Sequence, residues 1–112
     1  MLKLPNAENA VIETEKLSEY ILSSTHPVGR FKATVFRKLG YSASNWREFE
    51  RNLRELILTN NALEVEASQY GRKFIVEGSL SGLTGDPMQI VTIWFILKGE
   101  DIPRFVTAYP GG

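Results

Sequence analysis

The sequence predicts an α+β fold, with about three N-terminal helices packed on one four-stranded antiparallel β-meander. Two observations carry this. Apolar residues recur at helical spacing through the first half and alternate from residue 62 onward. Glycine, proline and polar turn residues then cut the second half into four short apolar segments. Helices and strands are therefore segregated along the chain, which is α+β order. With 112 residues, one domain over 1–112 is expected, because a second hydrophobic core does not fit.

The first helix is expected to start near Thr14 as N-cap, with Glu15 in the first turn and Leu17, Ile21 and Leu22 as its apolar edge. Ser23-Ser24-Thr25 breaks that pattern. A second helix opens at His26-Pro27, where proline loses no hydrogen bond, and its stripe is Val28, Phe31, Val35, Phe36 and Leu39. Gly40 suits a left-handed C-cap. The third opens with Asn45 and carries Glu48 three residues later, a capping-box pattern, with Trp46, Phe49, Leu53, Leu56 and Ile57 facing inward.

In the strand half, Leu63, Val65 and Ala67 alternate with Glu64 and Glu66. Ser68-Gln69-Tyr70-Gly71 reads as a hairpin turn, and Phe74 and Val76 alternate on the return strand. Residues 78–87 hold three glycines and a proline and are expected to form a loop. Ile90 to Leu97 is apolar on both faces, as in a central strand. Arg104 to Tyr109 makes the last strand, with Thr107 and Tyr109 on one face and Arg104 on the other if alternation is strict.

Composition excludes several classes of function. With no cysteine there is no disulfide scaffold, cysteine-ligated zinc or thiol chemistry, and one histidine excludes a multi-histidine site. No calcium-loop spacing, phosphate-binding glycine loop or nucleophile elbow is present, so neither a metal nor a cofactor is expected. Thirteen basic residues balance thirteen acidic ones, which argues against strong nonspecific nucleic-acid binding but leaves room for a local patch. The N-terminal residues lack an apolar signal core, and the longest apolar run is too short to span a bilayer. A cytoplasmic location without membrane contact is the expectation.

A few residues stand out of place. Lys32 falls inside the apolar arc of the second helix, between Leu39 and Phe36. It either snorkels, covering the core with its stem, or is held as a charge at a site. His26 stands before the same helix, where the dipole disfavours its protonated form; it is either a plain cap or a neutral base. Tyr70-Gly71-Arg72-Lys73 sets two cations beside an aromatic ring, which fits a phosphate or nucleobase as well as an exposed turn. Thr92 interrupts the central strand, and its hydroxyl needs a partner if buried.

Leu4-Pro5-Asn6-Ala7, His26-Pro27-Val28-Gly29-Arg30 with Lys32-Ala33, Tyr70-Gly71, and Thr107-Ala108-Tyr109-Pro110 together resemble a small bacterial domain family of unknown function, over nearly the whole chain. The element order, with a hydroxyl residue on the last strand, is also similar at fold level to the barnase–EndoU–colicin–RelE (BECR) group of metal-independent ribonuclease toxins. That similarity implies a site in which His26, Lys32 and Thr107 are catalytic and Arg30, Arg72 and Tyr109 bind substrate. The chain departs from many such toxins in having no basic excess.

Two functions follow. One is a toxin-like, metal-independent endoribonuclease with RNA as partner, or a degenerate relative of one. The other is a non-catalytic interaction module that binds a protein partner, or a second copy, through an edge strand of the sheet.

Overall fold

The computed structural model describes residues 2–22, 34–83 and 86–111. Three helices pack against one open, four-stranded antiparallel sheet, so the α+β expectation holds. The helices are α1 (Thr14–Lys16), α2 (helical residues 34–37) and α3 (Trp46–Thr59). The strands are β1 (Ala62–Ser68), β2 (Gly71–Leu80), β3 (Met88–Leu97) and β4 (Arg104–Pro110), in the spatial order β1-β2-β3-β4 of a meander.

The helix ends differ from expectation in instructive ways. Glu13, not Thr14, occupies the N-cap of α1, and after one turn the chain widens into a π-turn over Leu17–Ile21. That wider turn brings Leu17, Ile21 and Leu22 together into the core. Helix α2 closes as the sequence implies. Gly40 adopts φ 93°, and Tyr41 N–H reaches back to Phe36 C=O at 3.2 Å in a Schellman-type end. Asn45 caps α3, but Glu48 closes no capping box. The Asn45 side chain is committed to the preceding turn, accepting from Ser42 N–H at 2.8 Å and donating to Gly40 C=O at 2.9 Å.

The loop expected at 78–87 begins later, because β2 runs on to Leu80. Gly78 is a point of close approach and not a turn. A Cβ there would lie 2.7 Å from the Asn60 amide nitrogen and 3.0 Å from Leu56 Cγ, both on the end of α3. This glycine lets α3 lie directly on the sheet.

The core sits between the helices and one face of the sheet. Phe74, Val76 and Leu80 of β2, Ile90, Trp94 and Ile96 of β3, and Phe105 and Ala108 of β4 meet Phe36, Phe49, Leu53 and Ile57 of the helices. Phe36 and Tyr41 each pack edge-on against Phe49, with ring centroids 5.0 Å apart, and Trp94 packs on Phe105 at 5.2 Å. Val91 and Ile93 point to the opposite face and stay outside that cluster.

Thr92 is the one buried polar residue among those described, and it is fully satisfied. Its hydroxyl donates to Val76 C=O at 2.7 Å and accepts from Trp94 Nε1–H at 2.8 Å. Thr92→Val keeps the shape but orphans the buried indole N–H. It should cost about 1–3 kcal/mol, read as a lower urea midpoint at unchanged m-value.

Candidate functional site

The side of the sheet away from the helices is the candidate site, and two β-bulges shape it. Register fixes which side chains share this face. Ile75 pairs with Ile93 and Ile93 with Thr107; Glu77 pairs with Val91 and Val91 with Tyr109. Between Thr107 and Phe105 the ladder skips Val106, because Ile93 faces Thr107 while the next residue, Trp94, faces Phe105. The extra residue cancels strict alternation. Arg104 therefore pairs with Phe95 and joins the face that holds Thr107 and Tyr109, contrary to the alternation expected from sequence. Lys73 completes that row from β2, opposite Phe95.

The face thus presents a hydroxyl (Thr107), a phenol (Tyr109) and two cations (Lys73 and Arg104) around the apolar Ile75, Val91, Ile93 and Phe95, with Glu66 opposite Lys73 and Glu77 opposite Val91 adding two carboxylates on the β1–β2 side. Val91 and Ile93 at its centre are buried, whereas Ile75 and Phe95 are half-buried. Tyr109 is exposed and Thr107 half-buried. Arg104 also meets Glu100 at 3.4 Å, an exposed pair that leaves its guanidinium accessible.

Of the residues implicated from sequence, Thr107 and Tyr109 share this face, whereas His26, Arg30 and Lys32 lie outside the described residues. Arg72 stands on the helix-side face, one pair along from Phe74, with its guanidinium 5.0 Å from the Phe74 ring. It donates from both Nε and Nη2 to one Glu64 oxygen, at 3.2 and 2.8 Å. That hydrogen bond holds the Glu64 carboxyl below its ordinary value and raises the Arg72 guanidinium. Sequence reasoning missed Lys73 and Arg104 as companions of Thr107. Lys73 was readable, since it alternates with Phe74; Arg104 was not, since a bulge leaves no mark in the apolar pattern.

A second polar cluster lies where Ser81, just past β2, meets the helices. Buried Tyr41 donates its hydroxyl to Ser81 C=O and accepts from the Asn52 side-chain amide. Burial pushes the Tyr41 phenol up, outweighing the downward pull of Asn52 and Arg51, and Glu48 adds to the rise. This network ties Ser81 to the helices. Among the described residues no cluster of His, Asp or Glu could hold a metal, and no helix is long and apolar enough to cross a membrane.

The architecture is a small α+β domain whose sheet bears polar and cationic side chains on the face away from the described core. The chain belongs to the DUF6883 family, a domain of unknown function, whose model matches residues 3–112. No curated protein matches it in sequence. Its fold is similar to a solved chain in a contact-dependent growth inhibition toxin–immunity protein complex from Klebsiella pneumoniae 342. The TM-score is 0.71 at 20% identity, over 95% of this chain and 97% of that one.

Tyr41 yields a pH prediction with a definite sign. Its folded-state value lies above the ordinary tyrosine value of 10.0, so the stability linked to the neutral phenol is complete below pH 10 and is lost as pH rises through the folded-state value. Tyr41→Phe should remove this alkaline loss. It should also cost about 1–3 kcal/mol at neutral pH by orphaning Asn52 and Ser81. Urea titrations of both proteins between neutral and strongly alkaline pH read both effects.

Proposed function

We propose that this domain is a toxin-like, metal-independent endoribonuclease that holds RNA on the face of its sheet away from the described core. The carrying observation is the row Lys73–Phe95–Arg104 beside Thr107 and Tyr109, brought to one face by the Val106 bulge. RNA phosphates suit the two cations, and an unpaired base suits the apolar floor and the exposed Tyr109 ring. The fold likeness to a chain of a toxin–immunity complex supports a toxin-like setting.

The reaction this arrangement serves is attack of a ribose 2′-OH on the adjacent phosphorus. The new P–O2′ bond forms as the P–O5′ bond breaks, leaving a 2′,3′-cyclic phosphate and a 5′-OH. His26 takes the 2′-OH proton or returns one to the departing 5′-oxygen. Lys32 and Arg104 stabilise charge on the nonbridging oxygens, and Thr107 donates a hydrogen bond to one of them. Lys73 and Arg30 hold flanking phosphates, and Tyr109 stacks on a base. Arg72, engaged with Glu64 on the other face, takes no part.

Incubation with total tRNA and a structured RNA in EDTA tests this. The wild-type chain should give discrete fragments with cyclic phosphate ends. His26→Ala should slow cleavage by roughly 10²-fold or more, and Arg104→Ala by about 10-fold or more for a lost charge-assisted contact. Intact RNA at high protein concentration overturns the nuclease reading in favour of the interaction module.

A further inference from the structure

The two edges of the sheet are not equivalent. The outer edge of β4 is occupied by the chain itself. Val11 forms a parallel bridge with Arg104, Phe105 N–H bonds Val11 C=O at 2.8 Å, and Lys16 Nζ caps Phe105 C=O at 3.0 Å. The outer edge of β1 is not. Only its first residue is taken, where Ala62 N–H donates to Leu2 C=O at 2.8 Å. Beyond that, no described residue makes a backbone hydrogen bond to this edge, and residues 63–68 are all exposed. A cleft of about 630 Å³ runs beside it, lined by Leu2, Leu63, Ile75, Glu64 and Glu77 among others.

We propose that the free edge of β1 receives an extended, basic strand from a different protein, which joins the sheet as a fifth strand. Backbone geometry supplies the affinity: alternate peptide groups of an edge strand point outward, and the Leu2 bond shows one of them already taken by extended chain. The apolar cleft takes alternate side chains of the incoming strand. Charge selects the partner. β1 carries Glu64 and Glu66 and no base, and Glu77 adds a third carboxylate at the cleft; Glu64 is already held by Arg72, so Glu66 and Glu77 carry the selection.

The same charges act against a second copy of this chain. A two-fold antiparallel pairing of β1 with itself, centred on residue 64, 65 or 66, sets glutamate directly opposite glutamate in every case. The bulge between Glu64 and Glu66 also twists the edge away from indiscriminate stacking. Lysine or arginine on the incoming strand meets Glu66 and Glu77, which share one face of the sheet, with opposite charge. The cleft shares Ile75 with the face proposed for RNA, but the edge of β1 takes no part in cleavage, so peptide binding and RNA cleavage are read separately.

The probe is a fluorescein-labelled peptide of alternating valine and lysine, seven residues long, compared with its valine–glutamate counterpart. Anisotropy with the full chain should show saturable binding of the lysine peptide, at least tenfold tighter than the glutamate peptide. Amide exchange should slow within residues 62–68 and not along β4. Ala67→Pro, which removes an edge N–H, should lose the binding while far-UV circular dichroism stays native, and Glu66→Lys should reverse the preference. The proposal is overturned by equal affinity for both peptides, by protection elsewhere than β1, by no binding at millimolar peptide, or by sedimentation showing a dimer paired through β1.

Discussion

The fold depends on burying β3. This strand is apolar along both faces, and the meander places it between β2 and β4, with neighbours on both sides from Ile90 to Phe95. Its inward face receives the helices, with Trp94 at the centre of the core. A large indole can be buried there only because its N–H finds the Thr92 hydroxyl, which in turn finds Val76 C=O. The polar residue that interrupts the apolar run therefore permits the tryptophan. Gly78 serves the same end from the neighbouring strand by letting α3 lie close.

The other face of β3 carries Val91, Ile93 and Phe95, the first two buried and the third half-buried, and the site is built around them. Apolar side chains form its floor, and the flanking strands supply the polar groups: Lys73 from β2 and Arg104, Thr107 and Tyr109 from β4. A chain with balanced charge can still concentrate two cations at one row of a sheet. Net charge describes the long-range field, while register decides what a ligand meets.

Much of this was legible in the sequence. The stripe Phe49, Leu53, Leu56 and Ile57, the Gly40 helix end and the Ser68–Gly71 hairpin each obey a local rule, and the structure keeps them. What escaped reading depends on partners far along the chain. Gly78 looks like a turn residue until Asn60 is seen against it. The skipped residues Val65 and Val106 are ordinary strand residues whose effect is to change the parity of everything beyond them. Arg104 changes face for that reason alone, and Arg72 parts from Thr107 because they occupy opposite sides of the same sheet. Of the site implied by resemblance, Thr107 and Tyr109 stand together, and His26, Arg30 and Lys32 lie outside the described residues.

The covered edge of β4 has a consequence for how the molecule comes to be folded. Lys16 and Phe105 are 89 residues apart, and Val11 joins the same strand. Closing so long a loop is entropically late, so the segment around Val11 to Lys16 waits for the last strand before it gains its place. During synthesis β4 emerges after α3, β1, β2 and β3, and until then the outer edge of β3 stands open. The hairpin of β1 and β2 and helix α3, all local in sequence, can form well before that moment, which assigns a late step of folding to the docking of the Val11–Lys16 segment on β4.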